Sequence, residues 1–241
     1  IGQTVSENFN VTDPPALTSS LTITDVLCFG QRSGSVLLEM NNGREEYEYS
    51  YTAELDRGVA ISGQNDDLDT EFTISGLEAG DYELEVTDRQ GCIGTFTFSI
   101  DQPDAPLIID DYEEIDPLCF EDSSGRLSIE AIGGTIDSGD YIYAWFRIGN
   151  QRDTLSKVSF LENITSGKYI VRVTDDNGCT ASKDFELFDP DELIFVDSSI
   201  SNTSCNGGSD GTISITAEGG TGELSYSWDN GESTSNITGL A

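Results

Sequence analysis

The sequence predicts an all-β protein built as a tandem array of sandwich modules, and three observations predict it. "GDYELEVTDRQGC" at 80–92 recurs as "GKYIVRVTDDNGC" at 167–179, identical at seven of thirteen positions and displaced by 167 − 80 = 87. Apolar residues alternate with polar ones at period two, the mark of half-buried strands. Helical periodicity is absent throughout. A repeat of 87 residues is long enough for its own core and close to the size of an immunoglobulin-like domain. The expected fold is therefore an extended array of immunoglobulin-like β-sandwich modules, each of about seven strands.

Each unit can be read in the same order. An early cysteine opens it: Cys28, Cys119 and Cys205, spaced by 119 − 28 = 91 and 205 − 119 = 86. Six residues later comes a glycine (Gly34, Gly125, Gly211), followed by alternating aliphatics: Val36 and Leu38, Leu127 and Ile129, Ile213 and Ile215. Turn residues follow at Asn42-Gly43, Gly133-Gly134 and Gly219-Gly220, and then an aromatic strand. Its members are Tyr47, Tyr49 and Tyr51; Tyr141, Tyr143 and Trp145; and Tyr226 and Trp228.

The copies then differ in length. Tyr51 to Ile74 is 23 positions, Trp145 to Leu161 is 16, and Trp228 to Ile237 is 9. The shortest form reads as a hairpin around Asp229-Asn230-Gly231. The longer forms read as insertions in surface loops over a fixed scaffold.

The copies reconverge on a strand alternating Tyr82, Leu84, Val86 or Tyr169, Val171, Val173. Both tyrosines are expected to be buried with the hydroxyl bonded to nearby backbone, as in a tyrosine corner. An Asp-x-x-Gly turn follows, in which Asp88 or Asp175 caps its own backbone and Gly91 or Gly178 takes positive φ. A late cysteine, Cys92 or Cys179, opens the return strand. Asp13-Pro14, Gln102-Pro103 and Asp189-Pro190 close the units, since proline ends strand pairing.

These joints set the expected boundaries. Residues 1–16 match the end of a preceding repeat, 17–102 and 103–190 are two sandwich repeats, and 191–241 begin a further one that stops short. The chain reads as a piece of a longer array.

Composition excludes several classes. With 45 acidic against 11 basic residues the formal net charge is −34, which repels phosphate backbones and anionic membrane surfaces. Nucleic acid is not an expected partner. There is no histidine, which removes Ser-His-Asp and Cys-His nucleophilic chemistry and most zinc sites. No apolar run is long enough to insert in a membrane, and no signal peptide is visible. Carboxylates are plentiful enough for a glycosidase pair, but they recur in turns or scatter over polar faces, so no catalytic residue is assigned and the chain is not read as an enzyme.

The five cysteines alternate early, late, early, late, early. The simple pairing is Cys28 with Cys92 and Cys119 with Cys179, inside each unit, with Cys205 unpaired. Such bridges close 64 or 60 positions and constrain the unfolded chain by roughly 4 kcal/mol in the entropy model. Disulfides suit an oxidising, extracellular location. Buried free thiols are the alternative. Metal binding by these cysteines is disfavoured because no C-x-x-C occurs.

"CNGGSDGTISITAEGGTGELSYSWDNGESTSNITGLA" (205–241), continued by the "AGDYELEVTDRQGC" pattern, closely resembles the SprB-type repeat. That repeat reads Cys, Asp-Gly-x-Ile, Gly-Gly-Thr-Gly, Tyr-x-Trp, Gly-Leu, Ala-Gly-x-Tyr, Val-Thr-Asp, Gly-Cys. The resemblance covers nearly the whole chain as two full units and two partial ones. It implies large cell-surface proteins of Bacteroidota, exported by type IX secretion, some of them adhesins of gliding motility, and it implies no catalytic residues. The first unit departs from the pattern with Asn42-Gly43-Arg44 and Tyr51, and the second has Ser124 where the pattern has Asp.

The expected role is a stalk or filament module of a surface adhesin, with other repeats of the same protein as neighbours and surface polysaccharide or protein subunits as candidate ligands. The alternative is a subunit that self-assembles into an appendage, as a homo-oligomer or with other subunits. Calcium is the cofactor the residues favour, because "QNDDLDTE" places Asp66, Asp67, Asp69 and Glu71 within six positions. The bland reading of the same acidity is a solvated surface in salt. Asp153-Thr154-Leu155 resembles the Asp-Thr-aliphatic acceptor of Bacteroidota O-glycosylation, which marks Thr154. Sequons stand at Asn10, Asn163, Asn202 and Asn236.

Overall fold

The computed structural model describes residues 2–55, 60–137, 139–150 and 152–241. Among the described residues every regular element is a strand. The first repeat holds β1 (Ser19–Thr24), β2 (Gly34–Met40), β3 (Tyr47–Leu55), β4 (Ala60–Leu68), β5 (Glu71–Leu77), β6 (Gly80–Thr87) and β7 (Ile93–Ile100). They form two antiparallel sheets, β1-β2-β5 and β4-β3-β6-β7. That interleaved order is an immunoglobulin-like Greek key, with the fourth strand on the sheet of the third. Period-two alternation places Val36, Leu38, Leu84 and Val86 in the core between the sheets, all fully buried. Tyr49 of β3 stacks on Phe72 of β5 across that core, with centroids 5.7 Å apart.

The second repeat holds β8 (Ile108–Ile115), β9 (Gly125–Ile132), β10 (Ile142–Arg147), β11 (Phe160–Ile164), β12 (Gly167–Thr174) and β13 (Thr180–Leu187). Its sheets are β8-β9-β11 and β10-β12-β13, the same order without a separate fourth strand. Leu127, Trp145, Val171 and Val173 are fully buried in its core. A third sheet, β14-β15-β16, follows from β14 (Ile194–Ser201), β15 (Gly211–Glu218) and β16 (Asn236–Leu240).

The long first-repeat insertion is not a loop. Most of it forms β4, paired to β3 from Tyr47↔Leu68 to Glu54↔Ala60. The physical reason is that β3 otherwise ends the sheet with a row of unpaired backbone groups, which a returning strand satisfies. Gly63 lies opposite Tyr51, and a Cβ there would stand 2.5 Å from the Tyr51 ring, so glycine is what lets the ring lie over β4. In the second repeat a short turn covers the corresponding edge, where Trp145 N–H donates to Ser156 O and Leu155 N–H donates to Trp145 O.

The chain divides into two compact units. One comprises Ile1–Pro106 with Gly133–Thr135 and Asn177–Cys179; the other comprises Leu107–Ile132, Ile136–Asp176 and Thr180–Ala241. Two turns of the second repeat thus belong to the unit built on the first.

Candidate functional site: the two turns that carry cysteine

The late turn is built on a tyrosine strand. Tyr82 and Tyr169 are buried, and their hydroxyls donate to the carbonyls of Glu78 and Thr165, each at 2.8 Å. Each bond reaches back four residues and ties the strand to the turn before it. Burial first, and then the neighbouring Tyr51, push the Tyr82 phenol up to about 12. Tyr82 also stacks on its cross-strand partner Phe98 at 5.0 Å.

At the far end of that strand Asp88 is buried and accepts three backbone N–H groups: Gln90 and Cys92 at 2.9 Å and Arg44 at 3.1 Å. Burial alone would raise this carboxyl. The amides of Cys92, Arg44 and Gln90 outweigh burial and hold it below its ordinary value. Asp175 is buried at the same place, and Gly91 and Gly178 take φ of 82° and 83°, which an L side chain adopts at a cost.

The early turn recurs in all three repeats with one set of bonds. Gln31, Asp122 and Gly208 N–H donate to the carbonyls of Cys28, Cys119 and Cys205. The residue before each cysteine donates its N–H to the side chain six positions on: Leu27 to Ser33 Oγ, Leu118 to Ser124 Oγ and Ser204 to Asp210 Oδ1. Ser124 therefore replaces the aspartate of the repeat pattern as the acceptor. The Ser124 hydroxyl and the Ser123 amide lower the Asp122 carboxyl, and the Ser204 hydroxyl and amide lower that of Asp210. An aspartate just ahead of the turn was not legible as functional. Asp25 Oδ1 accepts the Asp101 N–H and Asp116 Oδ1 accepts the Phe188 N–H, clamping the end of the last strand in both complete repeats.

The disulfide corrects the expected pairing. Cys28 is bonded to Cys179, 151 positions away with Cα atoms 5.7 Å apart, while Cys92, Cys119 and Cys205 are free. Neither Cys28–Cys92 nor Cys119–Cys179 forms. The reason lies in strand polarity. The Cys28 turn sits where β7 ends, since Gly30 N–H donates to Gln102 Oε1 and Val26 N–H to Asp101 O. Cys92 sits where β7 begins. The eight residues of β7 span about 26 Å, whereas a disulfide needs Cα atoms within roughly 7 Å. The second repeat repeats the geometry: Gly125 abuts Leu187 at the end of β13, and Cys179 immediately precedes β13. Strand counting held the signal. In the first repeat the early turn follows one strand and the late turn follows six, so in an antiparallel sandwich they fall at opposite ends.

The Cys28–Cys179 bond closes within the first compact unit, where the Leu27 carbonyl also accepts Asn177 Nδ2 at 3.0 Å. Asn177 Nδ2 donates in turn to Thr135 Oγ1 at 3.0 Å. In the second compact unit the equivalent carbonyl, that of Leu118, accepts Thr221 Oγ1 at 2.9 Å. A groove of about 1090 Å³ adjoins that turn, lined among others by Cys119, Phe120, Phe195, Tyr226 and Trp228.

The remaining candidates are scattered. Asp69 and Glu71 are exposed, and the side chains of Asp66 and Asp67 lie outside the described residues. Among the described residues no group of three Asp, Glu or Cys side chains converges as a metal site. Thr154 is exposed on the turn between Arg147 and Ser156. Among the described residues no helix is long and apolar enough to cross a membrane.

Strand order and recurring turns together define a tandem-repeat protein of immunoglobulin-like sandwiches, stapled across repeats by a disulfide. The chain carries a SprB repeat: residues 198–233 match the family model of that description. No curated protein matches the chain. Among solved structures, the three N-terminal domains of the bacteriophage RB49 highly immunogenic outer capsid protein (Hoc) are 13% identical, with 86% of this chain and 70% of that one covered and a TM-score of 0.37. A C-terminal 282-residue fragment of intimin, in complex with the translocated intimin receptor intimin-binding domain, is 14% identical over 76% of this chain and 67% of that one, with a TM-score of 0.40. A tetra-tandem repeat in the extending region of a large adhesion protein is 12% identical over 92% and 66%, with a TM-score of 0.28.

Proposed function

We propose that this chain is a segment of a large repetitive cell-surface protein, in which repeats 17–102, 103–190 and the one beginning at 191 act as non-catalytic stalk or filament modules of an adhesin. The observation that carries the reading is the Cys28–Cys179 bond, which encloses β2 to β12 in one covalent loop. Tension applied through the two ends of the chain bypasses those strands, as suits a module that bears load rather than one that turns over a substrate. The disulfide also supports an oxidising, extracellular setting. The SprB repeat supports a surface protein of Bacteroidota exported by type IX secretion, with gliding motility as one use of it.

The test is single-molecule extension of the chain held by its ends. With the disulfide intact, the 151 positions between the cysteines stay hidden; a thiol reductant should release them as about 500 Å of added contour length. Equal extension with and without reductant would reject the load-bearing role.

A second reading is self-assembly into an appendage. Light scattering coupled to size exclusion decides it: a monomer at all concentrations removes this reading. Thr154 is proposed as an O-glycan acceptor, and a glycopeptide mass from native material is the check.

A further inference from the structure

We propose that the early cysteine of each repeat is the docking thiol for the late cysteine of the repeat that follows, so that Cys28–Cys179 is one link of a relay. On this rule Cys119 takes the Gly-Cys turn of a sandwich completed on the sheet β14-β15-β16. Cys92 in turn takes the early cysteine of a repeat placed ahead of the first. The partner in each case is another SprB-type turn, and the inference rests on the tandem-repeat reading.

Four observations carry it. Cys119 stands in the same turn as the bonded Cys28: its carbonyl accepts the N–H three residues on, and the preceding N–H donates to a serine hydroxyl six residues further along. Cys92 stands in the same turn as the bonded Cys179, behind a buried aspartate and a glycine of matching positive φ. The neighbourhood of Cys119 is already partly assembled. The Leu118 carbonyl is held by Thr221, which occupies in its repeat the place of Thr135, the residue that Asn177 joins to Leu27. Finally, pairing inside a repeat is closed off, because the two turns lie at opposite ends of each sandwich. Cys119 is exposed and free, which leaves it open to a thiol arriving from outside its own repeat.

The chemistry is that of the existing bond. Two thiols lose two protons and two electrons to a small-molecule disulfide such as oxidised glutathione, which is reduced to two thiols. Successive loops then overlap, since a loop from Cys28 to Cys179 contains Cys119, the start of the next. Every strand of an interior repeat would then lie inside at least one covalent loop.

The experiment supplies the missing turn within the full chain. Residues 103–190 are inserted a second time after Pro190, with Cys119→Ser in the inserted copy, and the chain is folded under oxidised glutathione. A second chain receives residues 17–102 at the same place, with Cys28→Ser in the insert. Each chain has six cysteines. The relay predicts Cys28–Cys179 together with a bond from Cys119 to the late cysteine of the insert, found by non-reducing peptide mapping, and two free thiols by alkylation. Four free thiols in both chains, with Cys28–Cys179 formed as the folding control, overturn the proposal. So does a late insert cysteine bonded to Cys205. If one insert does not fold, the other decides.

Discussion

The two complete repeats agree at both cysteine turns and differ between their third and fifth strands. The second repeat buries Trp145 there completely, and its indole N–H donates to the Val158 carbonyl at 2.9 Å. The first repeat has Tyr51, only partly buried, and adds strand β4 with Gly63 beneath the ring. One repeat fills the space with a large side chain and a short turn; the other fills it with backbone. The sandwich tolerates this because the variation falls at the open edge of one sheet, where an added strand disturbs no existing pairing. The third repeat follows the second: Trp228 Nε1 donates to Thr234 O over a tight turn closed by Gly231 N–H on Trp228 O.

The largest test concerns what the two repeats share. Reducing the disulfide, or Cys28→Ser, removes a constraint on a loop of 151 positions, which the chain-entropy model sets at roughly 5 kcal/mol. Denaturant unfolding should show a lower midpoint, and Cys92→Ser should leave it unchanged. A large loss from Cys92→Ser would restore pairing within the repeat.

Next comes the contrast itself. Trp145→Ala should cost about 3–5 kcal/mol, because a wholly buried side chain leaves a cavity. Tyr51→Ala should cost clearly less, since that ring keeps one side to solvent. Equal losses in urea titrations would mean that β4 is held by Tyr51 as tightly as β10 is held by Trp145.

Where the repeats agree, the effects should agree. Tyr82→Phe and Tyr169→Phe each remove one hydrogen bond to a backbone carbonyl and should cost about 1 kcal/mol. A twofold difference between them would break the equivalence of the two corners.

The Asp88 carboxyl sharpens the comparison through pH. Its folded value lies below the ordinary 3.8, so its stabilisation is complete above that value and is lost as pH falls through the depressed one. Asp88→Asn should therefore remove part of the acid sensitivity below about pH 4, measured as the midpoint of acid unfolding. An unaltered acid transition would place the acid-labile step elsewhere.

The smallest expected effect is that of calcium. With a net charge of −34, added salt should stabilise by screening, and sodium and calcium should act alike at matched ionic strength. A rise of several degrees in Tm on adding millimolar calcium to excess sodium chloride, lost in Asp67→Asn with Asp69→Asn, would instead mark a site on the segment that only the first repeat has.

Much of this was legible before any coordinates. Val36, Leu38, Tyr82, Leu84, Val86 and their second-repeat equivalents announce their strands by alternation, because a strand between core and solvent must alternate. Asp88 and Gly91 announce their turn, because few residues supply both a short acceptor and positive φ. The insertion was harder. "AISGQNDDL" (60–68) has weak alternation and reads as loop, and it becomes strand because the free edge of β3 needs a partner, which is not a property of its own residues. Asp25 and Asp116 were missed because each acts on a backbone N–H more than 70 residues away.

The sequence by itself determined the period, the alternating strands, the tyrosine corners and the two cysteine-bearing turns, because each follows from contacts within a few residues or from simple alternation. Only the tertiary structure decided which cysteines meet. Spacing cannot rank disulfide partners, since bond formation depends on Cα atoms coming within a few ångströms in space and not on their separation along the chain. The antiparallel strands carry the two turns of one repeat to opposite ends of its sandwich, and the partner of Cys28 comes instead from the turn at Cys179 of the next repeat.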